Sequence, residues 1–301
     1  MSRDFFDKEV KEMKKGIKIT ALLLAAVMLF LLADRLPAIK DWFLSESGKT
    51  TEEEKTVSDT SRGGILALVN NSHKYADTGA KQVRLYDKKT SSFFLSTTEI
   101  YLDQRAVKPL CNMLDAFRNK TGLRTINVIS GRRSVQSQIE IYRDKELKFG
   151  KLYTKKFVQA PGCSEHHTGL AVDLALFNPE DGSSQDFDGK GKYEWFSKNA
   201  WKYGFILRYP KDKESETGIG YEPWHFRYVG VPHAYYITKN RLCLEEYIEL
   251  LQNKTKQKPL EFSVGKKTYK VWHSATEPKN CNFSGDNCGG YIAWNVHNSM
   301  T

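Results

Sequence analysis

The residues best suited to chemistry lie in the stretch CSEHHTGLAVDLAL, residues 163–176. His166 and His167 lead into a Thr-Gly turn, and the apolar segment after the turn carries one acidic residue, Asp173. A carboxylate among apolar side chains costs free energy unless a cation or hydrogen bonds compensate it. An imidazole brought back by the turn could join Asp173 as a second ligand of a divalent metal. Taken alone, the spacing fits an exposed histidine pair and a structural aspartate equally well.

A second stretch, YEPWHFRYVG at residues 221–230, supplies further candidates. Glu222 and His225 are three residues apart, and Pro223 argues against a regular helix interior, so a strand end or bulge must aim them. His225 is a candidate third ligand, and Glu222 is a candidate general base. Three protein ligands and one water form the open coordination of a catalytic zinc, which lowers the pKa of that water to about 7.

These motifs resemble those of a known enzyme family. SEHHTGLAVD fits the S-x-H-x-x-G-x-A-x-D signature of the LAS zinc metallopeptidases, and EPWH fits its E-x-x-H partner. Upstream, SGRRSVQSQ at residues 130–138 resembles the S-G-Y-R-S-x-x-x-Q segment of the VanY-type D-alanyl-D-alanine carboxypeptidases. The resemblance covers residues 64–255. It implies zinc as cofactor and an α+β fold with a small antiparallel sheet and helices around the zinc site.

The resemblance also implies a role for individual residues. The zinc ligands would be His166, Asp173 and His225, and Glu222 would be the general base and later the proton donor. Arg133 stands in the place of the family's arginine, which stabilises the scissile carbonyl oxygen.

Other positions near the motifs are predicted with them. Gln138 and Ser164 match family positions that help to hold the substrate. Trp224 lies between base and ligand and would line the pocket or belong to the core. His167 falls at a variable position of the motif. Arg132 replaces the family's usual tyrosine, and we expect Arg133 rather than Arg132 to point inward.

The implied reaction is hydrolysis of the terminal D-Ala-D-Ala amide of peptidoglycan stem peptides, which would contribute to glycopeptide (vancomycin) resistance. An L,D-carboxypeptidase or a cell-wall endopeptidase on the same scaffold is an alternative, and a non-catalytic zinc-fold binding module is another. Such a module usually lacks the base or the arginine, and Glu222 and Arg133 are both present. The net charge of +10 invites a nucleic-acid partner. The absence of aromatic-interleaved basic runs and the predicted export argue against one.

The N-terminal part of the chain predicts the compartment. Residues 1–18 contain five lysines, and residues 19–35 are the predicted transmembrane anchor. Its uncharged run, Ile19–Ala33, approaches the roughly 20 residues that cross a bilayer once Gly16, Ile17 and a snorkelling Lys18 are added. Under the positive-inside rule we expect residues 1–18 to be cytoplasmic, the protein to cross the membrane once, and the catalytic domain to be extracellular. A cleaved signal peptide is the alternative. Residues 36–63, which include a run rich in Ser, Thr, Glu and Lys, are predicted to be a flexible stalk.

The remaining chain divides into residues 64–257, the zinc D,D-carboxypeptidase domain, and residues 258–301, a β-rich appendage. Within the first, apolar spacing predicts an amphipathic helix over residues 104–119 and a buried strand over 125–130. Another helix is predicted over residues 134–149, with a glycine just past its end. The alternation of apolar and polar residues beyond Pro259 predicts strands.

The chain contains five cysteines. Cys281 and Cys288 flank a Gly/Asn/Asp turn and are the natural disulfide pair of an extracellular chain. Cys111 and Cys243 occupy apolar helical positions and are predicted core residues. Cys163 is predicted to be a small side chain in a tight turn rather than a ligand or nucleophile.

Overall fold

A computed structural model describes residues 63–298 of the chain. The predicted cytoplasmic segment, the anchor at residues 19–35 and nearly all of the predicted stalk lie outside these residues. Between residues 63 and 298, no helix combines the length and apolar character needed to cross a membrane.

Helices and mostly short strands are mixed along the described residues, and the last four elements are strands. The helices are α1 (Gln104–Thr121), α2 (Val135–Phe157), α3 (Glu194–Asn199), α4 (Glu214–Thr217), α5 (Val231–Lys239) and α6 (Leu244–Gln252). The strands are β1 (Gln82–Arg84), β2 (Phe94–Leu95), β3 (Tyr101–Asp103), β4 (Ile126–Ser130), β5 (Ala171–Phe177), β6 (Ser184–Asp186), β7 (Phe205–Leu207), β8 (His225–Tyr228), β9 (Leu260–Val264), β10 (Lys267–Ser274), β11 (Asn282–Gly285) and β12 (Tyr291–Asn298).

The central sheet has the strand order β2-β4-β5-β8-β7, and β6 pairs with β5. Only β2 and β4 run parallel; the other pairs are antiparallel. The expected α+β fold with a small, largely antiparallel sheet is therefore confirmed. Helix α1 packs its apolar face, which includes Leu110, Met113 and Phe117, into one core with Val172 and Phe226 of the sheet.

The helix predicted over residues 134–149 is present, and helical structure resumes after its predicted end. Ser134 caps α2 by accepting a hydrogen bond from the backbone N–H of Ser137. Gly150 interrupts the helix with φ 82° and ψ 166°, a conformation that favours glycine. A second helical stretch then runs to Phe157, and its Thr154 hydroxyl donates to the Gly150 carbonyl. Helix α2 is thus broken at the glycine.

The C-terminal residues form a second antiparallel sheet with the order β11-β12-β10-β9. Its apolar face, with Val271 and Ile292, belongs to one hydrophobic cluster with Tyr247, Ile248 and Leu251 of α6. The predicted strands are therefore present, and this sheet packs onto the rest of the described residues through a shared core.

The predicted pairing of Cys281 with Cys288 is wrong, because both are free thiols in the structure. Cys281 directly precedes β11, whereas Cys288 lies in the turn after that strand. The four extended residues of β11, at about 3.4 Å per residue, lie between the two cysteines, whereas a disulfide needs Cα atoms within about 7 Å of each other. Cys111 and Cys243 are buried, as predicted, and Cys163 is buried as well.

Candidate active site

Neighbouring strands of the central sheet bring the candidate ligands together. Asp173 of β5 lies directly opposite His225 of β8 and, on its other side, opposite Ser130 of β4. Residues opposite one another in an antiparallel pair have close side chains. His166 lies in a short 3-10 helix, Glu165–Thr168, just before β5. The sheet register therefore positions the two motifs, although they are far apart in sequence.

Gly169 turns the chain from the histidine turn into β5. Its φ of 74° lies in the left-handed region. A Cβ atom at this position would come within 2.8 Å of the backbone nitrogen of Asp103 and within 2.2 Å of the Gln82 side chain. Conformation and space both require glycine here, so the turn that returns His166 toward Asp173 depends on it.

Three side chains form a potential metal site. Atom Nε2 of His166 lies 3.1 Å from Asp173 Oδ2, and Nδ1 of His225 lies 2.9 Å from Asp173 Oδ1. All three ligand atoms lie within 4.8 Å of one another. Asp173 Oδ1 is buried, yet it accepts no hydrogen bond from the described residues. Two imidazoles and a carboxylate with an unsatisfied oxygen fit a divalent cation such as zinc.

The remaining nitrogen of each imidazole faces a different partner. Nδ1 of His166 lies 2.8 Å from the carbonyl oxygen of Gly131. A proton on Nδ1 would be donated to that carbonyl, which leaves the Nε2 lone pair directed at Asp173. His225 has the opposite arrangement, because its Nδ1 faces Asp173 and its Nε2 lies 3.7 Å from Oε2 of Glu165. In each ring, the nitrogen that faces away from Asp173 lies near an oxygen of another residue, and the nitrogen that faces Asp173 is directed at the potential metal site.

Glu222 lies beside the ligand set. Its Oε2 is 3.7 Å from Nδ1 of His225, and its side chain is only 9% exposed. The tight turn that leads into β8 is closed by a hydrogen bond from the His225 backbone N–H to the Glu222 carbonyl. Burial raises the pKa of Glu222 to about 8. A carboxyl group with a pKa near neutrality is suited to accept and return a proton.

Arg133 lines the same cleft, and the adjacent Arg132 is exposed. The guanidinium of Arg133 donates to Oε1 of Gln138 at 2.8 Å and to Oγ of Ser130 at 2.9 Å. One of its nitrogens is 3.8 Å from Oδ2 of Asp173. The inward orientation expected for Arg133 is the one that the structure has.

The cleft has a volume of about 340 Å³ and contains every predicted site residue. Gln138 links Arg133 to the backbone at Gln159, because its Nε2 donates to the Gln159 carbonyl at 2.7 Å while its Oε1 accepts from Arg133. Ser164 caps the histidine turn through its hydroxyl, and Trp224 is partly buried at the wall. The sequence did not predict the following cleft residues: Ile141, Lys145, Tyr153, Phe157, Val158, Gln159, Tyr209 and Ile219.

His167 lies next to the site without facing it. Its Nδ1 is 2.8 Å from the carbonyl oxygen of Arg133, and its Nε2 accepts from the backbone N–H of Gly162 at 3.2 Å. The ring therefore ties the arginine loop to the turn before the histidines. His167 is outside the group of potential metal ligands.

A buried network of charged side chains lies on the side of His225 opposite Asp173, and the sequence did not predict it. Oε1 of Glu165 accepts from Nε of Arg208 and from Nη1 of Arg227, both at 2.7 Å. Arg208 also forms two hydrogen bonds with Glu245. Burial alone would raise the pKa of Glu165, but the two arginines hold it well below its usual range. A negative charge is therefore fixed at the rear of His225.

Comparisons with known proteins agree with this geometry. Residues 99–231 match the family described as VanY, D-alanyl-D-alanine carboxypeptidase. The chain is 40% identical over 165 residues to the bifunctional D-Ala-D-Ala dipeptidase and D-Ala-D-Ala carboxypeptidase VanXYC of Enterococcus gallinarum, which covers 54% of this chain and 85% of that protein. The chain belongs to the VanY family. The predicted resemblance is confirmed, and members of the VanY family are hydrolases.

Solved structures of VanY-family proteins show the same fold. The vancomycin resistance D,D-dipeptidase VanXYg, in complex with a D-Ala-D-Ala phosphinate analogue, has a TM-score of 0.69 and 29% identity, over 79% of this chain and 96% of that one. A mutant of the D,D-pentapeptidase VanY from a VanB-type resistance cassette, in complex with Zn(II), has a TM-score of 0.50 and 32% identity. That match covers 61% of this chain and 98% of the VanY chain.

Proposed function

We propose that this VanY-family chain is a zinc-dependent D-alanyl-D-alanine carboxypeptidase, which removes the terminal D-Ala from peptidoglycan pentapeptide stems. One observation carries the proposal: the ligand atoms of His166, Asp173 and His225 lie within 4.8 Å of one another in a cleft that also contains Glu222 and Arg133. The removal of D-Ala from stems would contribute to glycopeptide resistance, as the similarity to two vancomycin resistance enzymes suggests.

His166, Asp173 and His225 would hold the zinc. When bound, zinc lowers the pKa of a coordinated water to about 7 and polarises a carbonyl oxygen. The unsatisfied Oδ1 of Asp173 and the Zn(II) complex of a VanY-family relative support this assignment.

Glu222 would move the protons of the reaction. It would take a proton from the attacking water and later give it to the amine of the leaving D-Ala. Its place beside His225 and its pKa of about 8 support both roles.

Arg133 would stabilise the carbonyl oxygen of the scissile amide as negative charge develops there. Gln138 and Ser130 hold its guanidinium in place by one hydrogen bond each. A guanidinium has more N–H donors than these two bonds use, so Arg133 can still donate to a substrate oxygen. Gln138 would therefore support the substrate by positioning Arg133.

The cleft suits the end of a small peptide. Phe157, Ile219 and Trp224 give it apolar walls for alanine methyl groups, and Lys145 offers a positive charge to a carboxylate. A second candidate function is hydrolysis of free D-Ala-D-Ala. The 40% identity with a bifunctional dipeptidase and carboxypeptidase, over 85% of its length, supports it.

The predicted anchor at residues 19–35 supports a location at the outer face of the cell membrane. We place the catalytic domain outside the cell, attached to the membrane by this single segment, where stem peptides are accessible. A cleaved signal peptide would also export the domain but would release it.

A panel of substrates tests the reaction. We expect the zinc-loaded full-length chain to shorten a pentapeptide stem by one D-Ala and to leave the tetrapeptide stem intact, as judged by mass spectrometry. A pentapeptide stem that ends in D-Ala-L-Ala is the matched control and should not be cut. Release of D-Ala from the tetrapeptide would instead indicate an L,D-carboxypeptidase, and internal cuts would indicate an endopeptidase. No cleavage of any peptide by folded, zinc-loaded protein would indicate a binding module.

A further inference from the structure

The part of helix α2 around the break at Gly150 carries the most exposed large apolar side chains of the described residues. Leu147 is 89% exposed and Leu152 is 88% exposed, whereas the next large apolar side chain, Tyr86, is 53% exposed. Phe149 lies between the two leucines in sequence, Tyr153 directly follows Leu152, and both are exposed as well. Single exposed leucines are ordinary, but four large apolar side chains within seven residues form a patch.

Lysines surround these apolar side chains. Residues 145–156 contain five lysines and one acidic residue, Glu146. The ammonium groups of Lys145 and Lys148 lie 5.3 and 5.2 Å from the centre of the Phe149 ring. Lys156 is paired with Glu214 of α4 at 2.7 Å. Even with that pair discounted, positive charge dominates the surface formed by residues 145–156, which we call the α2 patch.

The glycine break shapes the patch. Gly150 leaves the helical conformation between the two leucines, so Leu147 and Leu152 flank the bend in α2. An aromatic row crosses the bend, with ring centres 4.6 Å apart for Phe149 and Tyr153 and 4.8 Å apart for Tyr153 and Phe157. Tyr153 and Phe157 also line the active-site cleft. The α2 patch therefore borders the mouth of the cleft.

We propose that the α2 patch docks on a bilayer of anionic phospholipid, with Leu147 and Leu152 inserted among the lipids and the lysines at the headgroups. Exposed leucines and aromatics with surrounding lysines are the composition of segments that lie in a membrane interface. Each lysine near an anionic surface strengthens the binding, and the attraction vanishes over neutral lipid. Docking would hold the mouth of the cleft at the membrane surface. The proposal does not depend on which bond the enzyme cuts.

The test places an environment-sensitive fluorophore in the patch. The full-length chain would carry Leu152→Cys in a Cys281→Ser/Cys288→Ser background, since the other three cysteines are buried. The matched control carries the same label on Tyr86→Cys, an exposed position outside α2. Both proteins are reconstituted into phosphatidylcholine vesicles with or without an equal share of phosphatidylglycerol, and quenching by spin-labelled lipids is recorded.

We expect strong quenching at position 152 in vesicles that contain phosphatidylglycerol, weak quenching in phosphatidylcholine alone, and little at position 86 in either. The change Lys148→Gln/Lys151→Gln/Lys155→Gln should lower the docked fraction at least about tenfold, because each lysine contributes to attraction. That variant should still hydrolyse soluble pentapeptide at the parent rate, which shows that it is folded.

Three results would overturn the proposal. Equal quenching at positions 152 and 86 would show that the patch does not enter the bilayer. A fluorescence change with soluble poly(glycerol phosphate) but not with vesicles would assign the patch to an anionic polymer. A change that depends on protein concentration without lipid would assign it to a second copy of the chain.

Discussion

Atom Nε2 of His225 lies 3.7 Å from Oε2 of Glu165. Both atoms are buried, and neither has a hydrogen-bond partner among residues 63–298. The ionised carboxylate therefore faces the side of the imidazole opposite Asp173. A carboxylate at the rear of a metal-binding histidine fixes the tautomer and strengthens the ligand.

The change Glu165→Gln should weaken zinc binding by about 10- to 100-fold, the usual cost of losing such a partner. It removes the charge that favours the Nε2–H tautomer of His225. Competition with a fluorescent zinc chelator measures the affinity, and thermal unfolding measures the stability.

The matched control is Glu245→Gln. Glu245 shares Arg208 with Glu165 but does not contact His225. Both variants should unfold at lower temperature, because each leaves a buried arginine short of a partner. Only Glu165→Gln should lose zinc affinity. An equal loss of zinc affinity in the two variants would mean that Glu165 acts through general stability alone.

The change Glu222→Gln should preserve zinc binding and abolish most turnover. An amide of the same shape cannot accept the proton of the attacking water, and general acid-base catalysis contributes about 100- to 10,000-fold. The rate of D-Ala release and the zinc content are measured on the same sample. Glu216→Gln, an exposed position on α4, is the control and should behave as the parent. A Glu222→Gln variant with parental turnover would remove Glu222 from the mechanism.

The change Arg133→Lys should lower kcat by about 100- to 1,000-fold, the cost of one oxyanion donor. A lysine keeps the charge but cannot bond Gln138 and Ser130 with the same planar geometry. The neighbouring Arg132→Lys is the control, because Arg132 is exposed. If Arg132→Lys lost the activity and Arg133→Lys kept it, the assignment of the two arginines would be reversed.

His233 on α5 predicts a pH dependence of stability. Its Nδ1 lies 2.8 Å from the Tyr247 hydroxyl, and burial lowers its pKa from 6.5 to about 3. A depressed pKa stabilises the fold fully above the unfolded value of 6.5, and the contribution is lost as pH falls toward 3. Between neutral pH and about pH 5 this loss amounts to about 2 kcal/mol of unfolding free energy.

Denaturant titrations at several pH values measure this contribution. The change His233→Gln should flatten the dependence over that interval, whereas His297→Gln, on an exposed position of β12, should leave it as in the parent. Identical slopes for the parent and His233→Gln would show that His233 does not titrate as its burial requires.

The spacing alone left the roles of His166 and Asp173 open. The resemblance of two short motifs to the zinc-peptidase signature then implied His166, Asp173, Glu222 and His225, because each lies within a short local pattern. The pairing of β5 with β8 then brings Asp173 and His225 face to face. The α1 helix and the β4 strand were also predictable, since their apolar periodicity is local.

The partners of Glu165 could not be predicted in this way. Arg208 and Arg227 are 43 and 62 residues away from it in sequence, and only the packed fold joins them. The disulfide prediction was wrong for a similar reason. The turn between Cys281 and Cys288 looked short in sequence, but four residues of extended strand lie within it.

The most direct test of the account is to measure zinc content and D-Ala release together on a pentapeptide stem, before chelation, after chelation and after zinc is returned. We expect chelation to remove both zinc and activity, and added zinc to restore both. His225→Ala should lack both throughout, while His167→Ala should retain zinc, because the hydrogen bonds of His167 go to backbone groups and it lies outside the group of potential metal ligands. Release of D-Ala at the parental rate by chelated protein, or by zinc-free His225→Ala, would contradict a zinc carboxypeptidase.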